Sequence, residues 1–464
     1  MQNRIKINTE AQVIFIIILI SQLFFLNGIY LFACMLCLYI GFFYLQQPFK
    51  SSIFTIIFIY HILQISAGVW QATYLDSDIN YRSSNMGLAT ILSLAGLLVM
   101  FAPIIYFQNK IPKITIEILK KHAYKFSTNK SLYVYIAAFF ISGALNGVRF
   151  ILPGYTQFII TLVNLKWFFF LLFGFQAVLK KERRKEFYFF IGLEFVLGLS
   201  SFFSDFKMVL FFIAALYLTF IIKINLKQIL LLLIVVFFAF YGSILWTTVK
   251  GEYRNFLNGG EKSQNVSVSQ NEALTKLYEL TNNKEKEAVI SSTARFLDRL
   301  QGTYFLSRTM DRVPAVLPFQ NGSNWGETFA FVFTPRLFNP DKPELDESKK
   351  VSKYTGIRYA GLSQGTSFSL GYFADCYIDF GIFGMFLPLL IIGLLYGTTY
   401  FYFLRNSTPN YIFNFSIVCS LYMRYFGFEM DSVFFTGSLF TDLIIYFLLS
   451  KFFFPWLYRF LLQH

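Results

Sequence analysis

Along most of the chain, unbroken apolar runs alternate with short polar stretches; a single polar stretch is long. Runs of bilayer-crossing length, about 20 residues, fall near 11–27, 29–46, 51–72, 87–107, 131–149, 155–178, 187–203, 206–223, 228–247, 370–402, 409–427 and 433–457. Helix is the conformation such runs take, because lipid offers no partner to an open backbone group. The pattern predicts an all-α, polytopic helical membrane protein of about twelve transmembrane helices. It has three parts: an N-terminal membrane bundle over 1–247, one large outer loop over 248–368, partly helical, and a C-terminal membrane bundle over 369–464.

Within the large loop, residues 251–272 are polar and rich in Gly, Asn and Ser, and read as a linker. From Glu272 the spacing turns helical, with Leu274, Leu277 and Leu280, then Val289, Phe296, Leu297, Leu300, Tyr304 and Phe305. Arg295 and Arg299 stand four apart, as do Arg308 and Arg312, so each pair shares a face. Either Asp298 and Asp311 neutralise them, or some hold a phosphate, since guanidinium suits bidentate oxyanion contacts. Residues 322–343 read as a loop rich in Gly, Pro and aromatics, because Pro335, Pro340 and Pro343 exclude continuous helix. Such a loop makes a sugar-stacking wall or packs on the membrane surface, fixing Arg336 and Lys342 near the interface. Asp375 and Asp379 then fall on one face of the tenth helix near its outer end. Two like charges at that spacing repel, so a cation sits between them or one keeps its proton.

Composition agrees: 56% hydrophobic, 20% aromatic and 14% charged residues leave little for a soluble domain. The net charge of +14 gathers at segment ends, where it orients the protein instead of binding nucleic acid. The basic loops Asn109 to Lys130, Lys180 to Glu186 and Lys223 to Lys227 alternate with loops holding single cations, which places both termini in the cytoplasm and the large loop outside. Arg4 and Lys6 before the first run read as a retained signal anchor. Ile111, Ile114 and Ile118 beside Lys113, Lys120 and Lys121 predict a short amphipathic helix on the cytoplasmic leaflet. No P-loop is present and no cytoplasmic loop has room for a nucleotide-sugar domain. Cys34 and Cys37 lie inside a span and read as packing. Lys166 and Glu194, mid-span on consecutive helices, read as a structural ion pair more readily than as a transporter's relay. His61 reads as a hydrogen-bonded packing residue. Asp76 and Asp78 are discounted as a metal pair.

Two motifs carry a family resemblance. Pro335, Arg336, Pro340, Lys342 and Pro343, followed by Tyr377, Phe380, Gly381 and Gly384, resemble the Pro-Arg…Pro-x-Lys-Pro loop and the aromatic-x-x-Phe-Gly-x-x-Gly helix of the O-antigen polymerases, the oligosaccharide repeat-unit polymerases. The late outer loop among many spans is similar too. The resemblance implies a GT-C-like architecture in the bacterial inner membrane and a glycosyltransferase active site facing the periplasm. It implies extension of a polysaccharide such as O-antigen, capsule or exopolysaccharide on a polyprenyl pyrophosphate, with no cofactor or metal. Membrane lipid, a flippase and a chain-length regulator are the implied partners. Arg336 with Arg149, Arg299, Arg308 or Arg358 would grip the pyrophosphate, and Asp375, Asp379 or Glu327 would take the acceptor proton. An O-antigen ligase shares the architecture, and a lipid-linked oligosaccharide flippase is the reading from another class; no internal repeat supports the flippase.

Overall fold

The computed structural model describes residues 4–200, 206–260, 266–282, 286–334, 339, 342, 346–361, 367–406 and 410–463. The first part of the chain forms helices α1 (Thr9–Ser21), α2 (Gly28–Leu45), α3 (Ile53–Tyr74), α4 (Met86–Lys110), α5 (Ile116–Tyr124) and α6 (Thr128–Ile151). It continues as α7 (Thr156–Asn164), α8 (Lys166–Lys180), α9 (Arg184–Leu199), α10 (Phe206–Leu218) and α11 (Leu226–Leu257). A cap follows, made of α12 (Gln270–Asn282), α13 (Lys286–Leu300), α14 (Thr303–Arg312), α15 (Ser323–Val332) and α16 (Glu347–Thr355). Then α17 (Tyr372–Gly384), α18 (Phe386–Asn406), α19 (Tyr411–Tyr422) and α20 (Ser432–Leu461) complete the bundle. Two-residue strands β1 (Lys6–Ile7) and β2 (Lys223–Ile224) pair in parallel and tie the start of the chain to the turn before α11.

Among the described residues, 8 segments are long and apolar enough to cross a membrane: α2, α3, α4, α6, α7 with α8, α11, α18 and α20. The other apolar runs also fold as helices, but shorter ones. α1 and α10 are apolar and short. α19 is buried along its whole length, so it is core packing for its neighbours.

The run at 370–402 was expected as one helix and is two. Gly381 has φ +66°, a left-handed value that breaks the helical course, and a Cβ there would meet the Phe319 ring at 3.2 Å. The first piece, α17, is buried from Tyr372 through Asp379, and only α18 has the length of a crossing. α18 packs against α4 through Gly393 and Gly397, whose four-residue spacing strips side chains from one stripe. A Cβ at Gly393 would stand 2.0 Å from the Met100 carbonyl oxygen.

Three local expectations change. Residues 251–257 are the last turns of α11, not linker; Tyr253 and Leu257 pack there with Ala273 and Leu280 of α12. Residues 323–332 form α15, because every proline of that segment falls after its end. The amphipathic helix forms as α5, but Leu119 and Ala123 are buried, so its apolar face packs on the bundle.

Two buried ion pairs lie inside the bundle. Lys166 pairs with Glu194 at 2.8 Å, and the Tyr135 hydroxyl donates to the same carboxylate at 3.0 Å, as the ion-pair reading required. A second network went unread in the sequence: Arg424 lies 3.3 Å from Asp442 and donates to Gln157 Oε1 at 2.8 Å and Ser438 Oγ at 3.1 Å. Asp442 also accepts from the Thr161 and Tyr425 hydroxyls. His61 accepts from or donates to the Tyr372 hydroxyl at 2.8 Å through Nε2 and meets the Ile57 carbonyl at 2.9 Å through Nδ1, a packing residue with both ring nitrogens occupied. Cys34 and Cys37 are buried among apolar side chains.

Candidate functional site

The site is built around α16, a 9-residue helix whose two faces carry different charges. At 100° per residue, Ser348, Lys349, Ser352 and Lys353 share one face, and Glu347, Lys350, Val351 and Tyr354 share the opposite one. The helix ends at Gly356, whose φ of +74° suits glycine and whose bare Cα admits the guanidinium of Arg312, 2.6 Å from where a Cβ would stand. The following loop is pinned back onto the helix: Tyr359 N donates to Ser352 Oγ at 3.3 Å, and Phe368 N to Ser348 Oγ at 2.9 Å.

The face turned toward the bundle is a closed ion cluster. Lys350 Nζ lies 2.7 Å from Asp375 Oδ1 and 3.3 Å from Asp431 Oδ2, and both carboxylates are buried. Asp375 Oδ2 also accepts from Ser432 N at 3.0 Å, and Asp431 caps α20 by accepting from Val433 N at 2.7 Å. Lys350 thus reaches Asp375 without bridging it to Asp379, so among the described residues no cation sits between the two carboxylates. Asp379 is satisfied separately: its two oxygens accept from Asn324 N at 3.1 Å and Trp325 N at 2.8 Å, the first amides of α15, where the helix dipole favours an anion. Glu347 stands half-buried beside this cluster. Burial first, then the charges of Asp431 and Asp375, push its carboxyl up to about 8, against the opposing pull of Lys350.

The other face opens into a cleft of about 740 Å³. Among the described residues its cations are Arg312 from α14, Lys349 and Lys353 from α16 and Arg358 from the loop, Asp346 is its one carboxylate, and Ser348, Ser352 and Tyr359 supply hydroxyls. Lys349 lies only within 4.0 Å of Asp346 and is 85% exposed, so that ion pair is loose. Arg312 Nε is buried and makes no hydrogen bond among the described residues. Of the acids expected to neutralise the loop arginines, Asp311 reaches Arg308 and Asp298 is engaged elsewhere. Asp311 accepts from Ser83 Oγ, Ser84 Oγ and Asn85 Nδ2 at 2.8, 2.8 and 2.9 Å and from Arg308 at 3.3 Å, fastening α14 to the turn before α4. Asp298 pairs with Arg82, whose guanidinium lies 4.2 Å from the centre of the Tyr304 ring.

The expected arginines do not converge on one point. Arg358 lines the cleft, and Arg308 lies one turn before Arg312 but is held by Asp311. Arg299 is exposed on α13, where Lys250 and Arg254 of α11 feel its charge, and Arg149 is half-buried on α6. Arg336 lies outside the described residues. Glu327 is exposed on α15. Lys342 donates to the Phe331 and Thr334 carbonyls and so closes the C-terminal end of α15. Asp78 accepts from Asn80 N at 2.8 Å, a turn-capping role, and no group of three metal-binding side chains occurs among the described residues. Lys349, Lys353 and Glu347 were missed in the sequence, whereas Arg312 was singled out with Arg308 for a phosphate. A lysine-rich helical turn at Lys349, Lys350 and Lys353 was the available signal.

On the far side of α15, Trp325, Phe329, Leu387, Ile391, Phe435 and Leu439 line a wholly apolar groove of about 230 Å³ between α15, α18 and α20.

No curated protein and no solved structure matches the chain. One family model does, over residues 94–401, a stretch that runs from within α4 through the whole cap into α18 and contains both faces of α16. The chain therefore belongs to the family described as a domain of unknown function, DUF8712.

Proposed function

We propose that this protein is a membrane glycosyltransferase that joins polyprenyl-pyrophosphate-linked oligosaccharide repeat units into a surface polysaccharide. In this reading it works in the bacterial inner membrane, with both termini in the cytoplasm and the cap in the periplasm. The observation that carries it is the cationic cleft of about 740 Å³ on a cap standing over apolar helices of membrane-crossing length. Such a cleft suits a polar, anionic ligand presented from a membrane anchor. The apolar groove beside α15 suits part of that anchor's hydrocarbon.

The chemistry is a displacement. An acceptor sugar hydroxyl attacks the donor's anomeric carbon, the bond from that carbon to the pyrophosphate oxygen breaks, and the lipid pyrophosphate departs with the electron pair. The resemblance assigns Arg336, in the segment between α15 and α16, to the pyrophosphate. Of the carboxyl groups named from the sequence, Glu327 is the exposed one, and the reading gives it the hydroxyl proton. Asp375 and Asp379 hold α16 and α15 in place instead, with their oxygens committed to Lys350 and to backbone amides.

Deletion of the protein in its own host tests the reading, with lipid-linked and surface glycans resolved on a gel. Single capped repeat units in place of a ladder are the expected result. A ladder that forms but never reaches its final acceptor would identify a ligase, and units stranded on the cytoplasmic side a flippase; either overturns the polymerase.

A further inference from the structure

We infer that the cleft reads acidic groups on the glycan itself, so that the repeat unit handled by this protein is a negatively charged oligosaccharide. The inference rests on the proposed glycosyl transfer and adds the substrate's charge. Two sources of anionic oxygen compete for the cleft: the lipid's pyrophosphate and acidic sugars further along the chain.

α16 is anchored on its bundle side by Lys350, which reaches Asp375 in the first turn of α17 and Asp431 at the start of α20. The cleft opens on the opposite face of the helix, away from those carboxylates.

Size and charge layout favour the acidic sugars. The volume, about 740 Å³, lies in the range that encloses multi-ring ligands, larger than one pyrophosphate needs. Its cations come from three separate elements, Arg312 on α14, Lys349 and Lys353 on α16 and Arg358 on the loop, a spread that suits charges on more than one sugar. Arg312 is fixed in place over Gly356 with its buried Nε unbonded among the described residues, a guanidinium prepared for a carboxylate. Asp311 and Asp298, the acids nearest in sequence, are committed to other partners. A neutral glycan would leave this charge unanswered.

Binding to the full-length protein in lipid nanodiscs tests the inference with three probes: an oligoglucuronate tetrasaccharide, the same tetrasaccharide with its carboxyl groups reduced to alcohols, and geranylgeranyl pyrophosphate. The acidic tetrasaccharide is expected to bind about tenfold or more tightly than the reduced one, with the margin shrinking as salt rises. Lys353→Gln with Arg358→Gln is expected to erase that margin and leave geranylgeranyl pyrophosphate binding unchanged. Both side chains are exposed, and an unshifted unfolding temperature confirms that the variant folds. Equal binding of the two tetrasaccharides, or a variant that loses the pyrophosphate probe instead, overturns the inference. Composition of the host's polymer separates the two claims: a neutral polymer whose ladder still vanishes on deletion sinks the acidic substrate and keeps the polymerase.

Discussion

The charges of the bundle and those of the cap follow opposite rules. Within the bundle, Lys166 meets Glu194 and Tyr135, and Arg424 meets Asp442, Gln157 and Ser438, so each charge answers another. In the cleft, four cations face one carboxylate among the described residues. Lipid penalises an unmatched charge by several kcal/mol, whereas water solvates it at little cost. Matching inside the bundle is thus a condition of folding, and an excess of one sign in a wet cleft is free to serve a ligand.

The sharpest way to break this contrast is at Asp442. Asp442→Ala leaves Arg424 and two hydroxyls without their acceptor and is expected to cost about 3–5 kcal/mol, the usual penalty for halving a buried pair. Size-exclusion profiles and thermal unfolding in detergent would register it as loss of folded protein; a stable, monodisperse variant would refute the rule for the bundle. A smaller effect is expected at the junction of the two regions. Asp379→Ala removes the acceptor of the first two described amide bonds of α15, worth about 1–3 kcal/mol, and hydrogen exchange should rise at Asn324 and Trp325 before it rises elsewhere. Unchanged exchange at those two amides would dismiss the capping role.

The smallest effect concerns pH. Glu347 keeps its proton in the folded cap up to about 8, while the unfolded carboxyl loses it near 4.5, so the folded state binds more protons between those values. Stability contributed by this group therefore declines as pH rises from 4.5 to about 8 and is lowest above that window. Because Glu347 is half-exposed, water screens the cost to about 1 kcal/mol. Unfolding measured across the window should show a shallower slope for Glu347→Gln than for the parent; parallel curves would remove Glu347 from the cluster.

Much of the bundle is legible in the sequence because lipid imposes a one-dimensional rule: an apolar run must become a helix. The same rule made the Lys166 and Glu194 pair readable, since both fall mid-span on neighbouring helices. Arg424 escaped because it follows α19 in a short helical turn, and its partner Asp442 lies on a different span. The break at Gly381 escaped because hydrophobicity continues across it. The cap was harder for a physical reason. Its helices are short and polar, and α15 looked like loop because the prolines beyond its end coloured the whole segment. The arginine pair on α14 was visible as helical spacing, but nothing in that spacing says that Arg312 will meet Lys353 and Arg358. That meeting is made by the turn at Gly356 and by Lys350 drawing α16 against Asp375 and Asp431.

The glycine seam between α4 and α18 sets a schedule for assembly. Gly393 and Gly397 lie so close to the Met100 and Pro103 carbonyls that this face of α4 stays uncovered until α18 arrives. The whole cap is synthesised in between. At ~5–20 residues per second, α4 waits on the order of 15–60 s in the membrane for its partner. During that wait its carbonyl stripe faces lipid or a chaperone, and the cap emerges before the bundle beneath it has closed. A slowed ribosome, or a chain cut short ahead of α18, would leave a cap without a floor and an α4 open to the wrong neighbour.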